Sequence, residues 1–223
     1  MASGPRSRVK TGMGKVRIAA GLAVLAPLMT FIAVLLTRNG IVSLDTGLDL
    51  LTIQIAQIVS WVALGFALLS LVLALPQFGR LGLVSIAIVV ICAAVAGAFF
   101  VQSRTIALAG PMDVSTDLTE PPAVPGATGA PVACEGVPAV LTQVAPAKAT
   151  EALQAAGFSV TESQLFRSRG VRDGFWFGMG HEAVVRIRPD RTDVRVVARY
   201  DHTDGGATCK IAARLVAALQ TGP

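Results

Sequence analysis

Residues 81–101 read LGLVSIAIVVICAAVAGAFFV, an apolar run that contains no Asp, Glu, Lys, Arg or His. Two similar uncharged runs precede it, at residues 18–37 and 51–75. About 20 helical residues cross a hydrocarbon core of roughly 30 Å, and one charge at the centre would cost about 3 kcal/mol. The sequence therefore predicts a three-helix transmembrane anchor over residues 18–101, which carries the polar remainder of the chain.

The formal net charge of +5 is matched by the first 17 residues, where Arg and Lys occur five times and no acid occurs. Cytoplasmic segments beside membrane helices carry such an excess. We therefore expect a basic cytoplasmic tail over residues 1–17, an inside turn at 76–80, and everything after Val101 on the outside. In a bacterium this describes an inner-membrane protein with a periplasmic C-terminal domain. Charge in this position indicates topology and anionic headgroups, so no nucleic-acid partner is expected.

The first apolar run has a second interpretation, as a cleaved signal peptide that leaves two transmembrane helices. Its length, and the lack of a small-residue cleavage site before Arg38, favour a retained anchor. The three runs carry no ionisable residue, which disfavours transport or proton relay. Gln54, Gln57 and Ser60 lie on one side of the second run, where we expect hydrogen bonds to a neighbouring helix.

After the anchor, composition predicts a linker over residues 102–146 and a small α+β domain over 147–223. Residues 111–146 are rich in Pro, Ala, Gly and Val and have no sustained period, which favours extended or irregular chain. The predicted fold class is therefore a membrane-anchored α+β protein, in which three transmembrane helices precede a mixed domain with an antiparallel sheet and two helices.

The elements of this domain follow from periodicity and turn residues. Helices are predicted over residues 147–156, closed by Gly157, and over 207–220, with Ile211, Leu215 and Leu219 as an apolar stripe. Strands are predicted over 158–162, 165–169, 183–188 and 192–199, and the aromatic run Phe175-Trp176-Phe177 is predicted to begin another.

The strands at 183–188 and 192–199 predict a hairpin with a turn at Pro189, Asp190 and Arg191. An odd-length loop would set Ile187 beside Asp193, so alternation favours an even loop. The even loop places Val185, Ile187, Val194, Val196 and Ala198 on one face. It places Glu182, Arg186, Asp193, Arg195 and Arg199 on the other, with Arg186 across from Asp193.

Cysteine usage agrees with an exported domain. Cys92 lies inside the third run and is expected to act as a small apolar residue. Cys134 and Cys209 are the two cysteines outside the runs, and an oxidising compartment favours their pairing as a disulfide. No CxxC or metal-ligand spacing is present, so neither redox catalysis nor a metal site is expected.

The second half of the chain also resembles a known family. Phe175-Trp176-Phe177-Gly178, Val184-Val185-Arg186-Ile187-Arg188-Pro189 and Asp193-Val194-Arg195, with Arg199, Asp204 and Gly206, are similar to the conserved half of the bacterial domain of unknown function 1499 family. Asp113-Val114-Ser115-Thr116-Asp117, followed by Pro121-Pro122, resembles the opening motif of its membrane-anchored members. The similarity covers about residues 111–219, and three preceding spans match that subtype. Because the family has no established activity, the resemblance implies an architecture.

The polar face of the predicted hairpin is the candidate binding site. Guanidinium groups bind phosphate and carboxylate groups bidentately, so Arg186, Arg195 and Arg199, with Asp204, are the candidate binding residues. The alternative is a solvated face with cross-strand ion pairs. Candidate partners are membrane lipids, an anionic envelope component and a membrane protein.

Catalysis is the less favoured interpretation. His181, Glu182, His202 and Asp204 have the side chains of metal ligands or an acid–base pair, but no motif connects them, and nucleotide and hydrolase motifs are lacking. The sequence therefore assigns no catalytic residue and no cofactor. It favours an inner-membrane protein that presents an extracytoplasmic binding or envelope-organising domain. The alternative is an envelope hydrolase that uses Glu182, His202 or Asp204.

Overall fold

The computed structural model describes residues 5–74, 78–174 and 176–221, with the side chains of 21–72, 83–174 and 176–221. The chain divides into two compact units, Met1–Arg104 and Thr105–Pro223. Residues 1–4 of the predicted tail, residue 75 at the end of the second predicted run and residues 76–77 of the predicted inside turn lie outside the described residues.

The first unit contains three long apolar helices. Helix α1 is Pro5–Arg38, a π-helical segment at Thr46–Ala56 continues into α2 (Gln57–Ala74), and α3 is Phe78–Ile106. Segments at Gly21–Arg38, Thr46–Val72 and Leu83–Ile106 are long and apolar enough to cross a membrane. These segments coincide with the three predicted runs, so the candidate spans are confirmed at the level of length and composition.

Small side chains fill the contacts between the helices of the first unit. Ala23, Ala63, Ala67 and Cys92 form one buried cluster, while large side chains on the same helices are exposed: Val24, Leu28, Phe31, Ile58, Val72 and Leu83. Small residues let helix backbones approach closely. A Cβ atom at Gly47 would overlap the Thr37 hydroxyl, so a larger residue at this position would require the Thr37 side chain to move.

The second unit is built on a five-stranded antiparallel sheet with the strand order β1-β5-β4-β3-β2. The strands are β1 (Asp113–Ser115), β2 (Ser159–Ser163), β3 (Arg167–Arg172), β4 (His181–Ile187) and β5 (Thr192–Ala198). Helices α4 (Pro146–Ala155) and α5 (Ala207–Gln220) pack on one face of this sheet. The antiparallel α+β arrangement and both helices are confirmed, and the predicted strands in the first part of the domain are shifted by one to three residues.

The predicted hairpin register is confirmed. Arg186 lies opposite Asp193 and Ile187 lies opposite Thr192, so the connection is the even loop of residues 188–191. Valines of β4 and β5 then face the helices together with the predicted stripe of α5, and the buried core contains Val185, Ile187, Val194, Val196, Ile211, Leu215 and Leu219. Alternation explains this result, because a shift of one residue would place Arg186 in the apolar core.

The segment predicted as a linker belongs to the second unit. Helix α3 continues to Ile106, and β1 pairs with β5 through Val114 and Val196. Val124, Cys134 and Val140 are also buried. The segment is mostly irregular, but single apolar residues along it reach the domain, and Cys134 is joined to Cys209 of α5 by a disulfide. The folded domain therefore starts before residue 147.

The aromatic run does not begin a strand in its described part. Phe175 lies outside the described residues, and residues 176–178 form a turn. Phe177 has a positive φ of 56° and Gly178 a φ of 68°, so the backbone is left-handed where a strand would be extended. Phe177 is buried and Trp176 is exposed.

Candidate functional site

The sheet face opposite the two helices, called the outer face here, carries the polar residues predicted for the hairpin. Residues 113–129, called the cover segment here, supply the acids and carbonyls that bind them. Arg195 shows this most clearly. Its guanidinium donates to both carboxylate oxygens of Asp113, at 2.9 and 2.6 Å, and to the carbonyls of Pro122 and Gly129. The Arg195 side chain is 7% exposed, so the structure gives it a structural role in place of the predicted anion-binding role.

Glu182 is held in the same way. Its carboxylate forms an ion pair with Arg169 of β3, and its side chain is buried. The ion pair with Arg169 and its burial give the Glu182 carboxylate a structural partner within the sheet.

Three arginines converge at the end of the outer face where β4 and β5 are joined. Arg186, Arg188 and Arg191, called the arginine cluster here, surround two buried carboxylates, Asp117 and Asp193. Arg191 lies 2.7 Å from Asp117 and Arg186 lies 2.8 Å from Asp193. The hairpin loop positions Arg188 and Arg191, while the cover segment brings in Asp117 from far along the chain.

Asp117 is the centre of this arrangement. Burial by itself would raise its pKa, but the backbone N–H groups of Glu120 and Thr119 donate to it, and Arg191 and Arg188 add their positive charge. The net effect holds the pKa of the Asp117 carboxyl below its ordinary value. Asp117 is therefore ionised wherever the domain is folded near neutral pH.

Glu120 completes the cluster from the solvent side. Its carboxylate lies 2.7 Å from a terminal nitrogen of Arg188 and 3.9 Å from one of Arg186, although its side chain is 72% exposed. An exposed ion pair contributes only about 0–1 kcal/mol. Glu120 is thus the weakly held member of a cluster whose other two carboxylates are buried.

Arg199 lies apart from the cluster, just beyond the far end of β5. Its backbone N–H donates to Gly180, and its guanidinium is 3.7 Å from the exposed Asp173 carboxylate. The structure therefore does not bring the three predicted binding arginines into one site. Arg186 belongs to the cluster, Arg195 is buried with Asp113, and Arg199 is a separate exposed cation.

Asp204, the fourth predicted binding residue, supports the start of α5. It accepts hydrogen bonds from the backbone N–H groups of Gly206 and Thr208, from the Thr208 hydroxyl at 2.8 Å, and from the Tyr200 hydroxyl at 3.3 Å. Burial would raise the pKa of Asp204, but these donors outweigh it and lower the pKa. These hydrogen bonds hold the backbone at the start of α5, where Gly206 is the N-cap residue and supplies no side chain.

Tyr200 connects Asp204 to His181. The Tyr200 hydroxyl lies 3.1 Å from Nε2 of His181, which is buried. Burial lowers the pKa of His181 to about 4, and Arg172 contributes in the same direction against the opposing charge of Asp204. Burial also raises the pKa of Tyr200, and Asp204 adds to that shift. A neutral histidine and a protonated tyrosine form a stable hydrogen-bonded network near neutral pH.

The remaining predicted catalytic residue is His202. Its Nδ1 lies 2.8 Å from the Thr203 carbonyl. Glu182 is bound by Arg169 on the outer face, whereas Asp204 is bound at the start of α5. The three residues of the hydrolase hypothesis therefore have separate structural partners in the described part of the chain.

Sequence reasoning missed Asp117, Glu120, Arg188, Arg191 and Tyr200. The spacing of arginines at 186, 188 and 191 around a turn was the available signal for the cluster. Asp117 lies in the motif that resembles the family, but nothing local pairs Asp117 or Glu120 with the arginines, because these contacts join residues about 70 positions apart. Tyr200 is the single tyrosine of the chain.

The sequence matches no protein-family model, and no curated protein or solved structure shows significant similarity to the chain. The functional proposal therefore rests on the geometry of the arginine cluster. Its guanidinium groups bind two buried carboxylates, and the exposed Glu120 carboxylate contacts them from the solvent side.

Proposed function

We propose that this chain is a multi-pass membrane protein with its N-terminus in the cytoplasm and its second unit outside. Three candidate spans, the large apolar side chains exposed on them, and the basic first 17 residues support this proposal. The Cys134–Cys209 disulfide supports an oxidising compartment. In a bacterium this is the inner membrane, with the second unit in the periplasm.

Reporter fusions test the topology. A reporter that is active only outside the cytoplasm should be active after Pro223 and inactive when inserted between Gln77 and Phe78. A reporter active only in the cytoplasm is the matched control and should give the opposite pattern. Activity at both positions of the same reporter would overturn the proposed number of crossings.

We also propose that the second unit belongs to the domain of unknown function 1499 family, on the residues that resemble it. The antiparallel hairpin and the ion pairs of Asp113, Asp117, Arg186 and Arg195 support this membership, since the resembling motifs contribute each of these residues. The ion pair between Asp113 and Arg195 predicts that replacing Asp113 destabilises the domain about as strongly as replacing Arg195, which unfolding measurements on both variants test.

We propose that the second unit is a binding module that recognises an anionic group at the arginine cluster. The observation that carries this proposal is Glu120, whose backbone is held by Asp117 and Arg186 but whose exposed carboxylate contacts Arg188 and Arg186 only through surface ion pairs. A phosphate or carboxylate of a ligand has the same chemistry and takes its place. The buried carboxylates of Asp117 and Asp193 then hold the guanidinium groups in position from the side of the sheet.

The chemistry of the cluster suits phosphate. Each guanidinium carries a planar set of donors that matches the oxygens of a phosphate group, and Arg188 and Arg191 are partly exposed. With Glu120 displaced, three guanidinium groups face two carboxylates, so the cluster carries one uncompensated positive charge. An anion restores neutrality without a change in the fold.

Titration of the full chain with inorganic phosphate tests the proposal. The chain is held in nanodiscs of zwitterionic lipid, and phosphate binding is followed by isothermal calorimetry. Glu120→Gln should strengthen binding because it removes the competing carboxylate, and Arg188→Gln should weaken it. Arg199→Gln is the matched control, since Arg199 is exposed outside the cluster, and it should bind like the unchanged chain.

The competing interpretation is that the cluster only stabilises the fold. It predicts phosphate binding that is undetectable or equal in all four chains, together with small losses of stability in the Arg188 and Glu120 variants. Either of those binding results would overturn the anion-binding proposal.

A further inference from the structure

Four large apolar side chains are more than half exposed at one end of the sheet. This end, called the tip here, contains the β2–β3 turn and the β4–β5 loop. The exposed side chains are Leu118, Leu141, Leu165 and Phe166, with exposures from 52% to 77%. Large apolar residues on loop ends are costly to leave in water, so a group of them indicates a contact surface.

Backbone contacts place all four residues at the tip. The carbonyl of Phe166 accepts from the N–H of Ile187, the last residue of β4. Val140, next to Leu141, pairs with Thr192, the first residue of β5. Leu118 follows Asp117, which is bound to Arg186 and Arg191. Three separate segments therefore present apolar side chains around one hairpin end.

The arginine cluster lies at the same end. Arg188 and Arg191 flank the exposed Pro189 and Asp190 in the β4–β5 loop. The tip thus combines apolar side chains with guanidinium groups that Glu120 neutralises. Asp190 is a further exposed acid there, so the arginines alone do not give the tip a large positive charge, and the apolar side chains must supply part of any binding free energy.

The chain joins the second unit at the opposite end of the sheet. Side chains at Gly205 and Gly110 would overlap Thr105 and the backbone of Gly206, so these glycines allow the first residues of the unit to pass beside the start of α5. Asp113 then pairs with Val197, near the far end of β5. Six residue steps along β5 separate the two ends, which is about 20 Å.

We propose that the tip binds an anionic lipid surface, with the phosphate of a headgroup in the place of Glu120 and the four apolar side chains in the interface. This inference rests on the proposed anion site and names the source of the anion. The arginines complement the charge of an anionic headgroup. A fluid lipid interface accommodates apolar side chains from separate segments without a shaped pocket. The tip lies at the end of the sheet opposite the residues by which the chain enters the second unit. The second unit therefore contacts the lipid surface with its tip.

A vesicle flotation experiment tests the inference with the full chain. The chain is held in zwitterionic nanodiscs and mixed with separate vesicles of phosphatidylglycerol or of phosphatidylcholine. It should float with the phosphatidylglycerol vesicles only. The double variant Leu165→Ser and Phe166→Ser should lower the partition coefficient roughly tenfold or more, because two large apolar side chains no longer transfer from water into the interface.

Two further variants separate the contributions. Leu108→Ser removes an equally exposed apolar side chain from the part of the chain near Thr105, and it should bind like the unchanged chain. Glu120→Gln should bind phosphatidylglycerol vesicles more tightly. Thermal unfolding of each variant checks that exposed substitutions leave the fold intact.

The outcomes distinguish this inference from the function on which it rests. Arg188-dependent binding of inorganic phosphate without flotation would overturn the lipid-surface inference and leave the anion site standing. Flotation with both vesicle types, or flotation that survives the tip double variant, would also overturn the inference. Failure of both phosphate binding and flotation would overturn the two proposals together.

Discussion

The two faces of the five-stranded sheet are both covered, but by different chemistry. One face packs on α4 and α5 through aliphatic side chains such as Val185 and Leu215, which are fully buried. The other face is covered by the mostly irregular residues 116–129 that follow β1, and ion pairs of Asp113 with Arg195 and of Asp117 with the arginine cluster attach this part of the chain. Burial of aliphatic groups needs no ionisation, whereas the ion pairs need charged carboxylates. The comparison teaches that regular structure is not required to cover a sheet face when the covering segment supplies paired charges.

The disulfide links the chain that covers the outer face to a helix on the opposite face. Cys134 follows the cover segment, and Cys209 lies in α5 on the aliphatic side, 75 residues later. The chain that covers the outer face is therefore tied to the helix that covers the other. Four predictions test how separate the two faces are.

The largest expected effect follows from Arg195→Met. It leaves the carboxylate of Asp113 without its partner in a largely buried site, and breaking a buried ion pair costs about 3–5 kcal/mol. Chemical unfolding of the full chain in nanodiscs, at neutral pH, measures the loss. The matched variant Arg199→Met removes an exposed arginine and should cost about 0–1 kcal/mol. Equal effects of the two variants would contradict the structural role of Arg195.

The next effect concerns the disulfide. Replacing Cys209 with Ser should lower stability by about 2–4 kcal/mol, because the unfolded chain loses the closure of a long loop. Cys92→Ser is the control, since Cys92 is the free cysteine of the described residues. Non-reducing mass spectrometry of protein taken from its native compartment should recover the peptide that joins Cys134 and Cys209. Two free thiols at these positions would sink the prediction.

The third prediction uses the titratable histidine on the helix-packed face. The folded-state pKa of His181 is about 4, below the ordinary value of 6.5, so the unfolded chain binds the proton first. Stability should therefore fall as pH drops from about 6.5 to about 4, by at most on the order of 3 kcal/mol. His181→Gln keeps a hydrogen-bonding group and should abolish this part of the pH dependence. An unchanged profile would show that another group is responsible.

The smallest effect is expected at lower pH on the outer face. The pKa of Asp117 is depressed from an ordinary value near 3.8, so its contribution is present above that value and is lost as pH falls through the lower folded-state pKa. Asp117→Asn should flatten the dependence of the unfolding free energy on pH below about pH 4, and it should leave the dependence between about pH 4 and 6.5 that is assigned to His181 unchanged.

Leu215→Ala is the control on the aliphatic face. It should lower stability by about 2–5 kcal/mol without changing either part of the pH dependence. A Leu215→Ala loss that varied with pH would contradict the separation of the two faces.

Local patterns were sufficient for the elements with regular periods. The apolar runs predicted the candidate spans, the stripe of Ile211, Leu215 and Leu219 predicted α5, and alternation predicted that Arg186 faces Asp193. The site was only partly predictable. Arg186 was placed correctly on the polar face opposite Asp193, but its partners in the cover segment were not predicted, because an irregular segment has no period that shows which residues face the sheet.

The sequence by itself determined which segments are apolar, where α4, α5 and the strands β2 to β5 lie to within a few residues, and which side of the hairpin is charged. These properties depend on neighbours within a few residues, through side-chain period and turn chemistry. Only the tertiary structure decided that Arg195 is buried by Asp113 and that the Glu120 carboxylate binds Arg188. Arg195 and Asp113, like Arg188 and Glu120, lie far apart in the chain, and their charge can be satisfied by solvent, by a ligand or by a distant residue. The folded path of the chain decides which of these occurs, because the identity of a charged residue does not specify which partner it will bind.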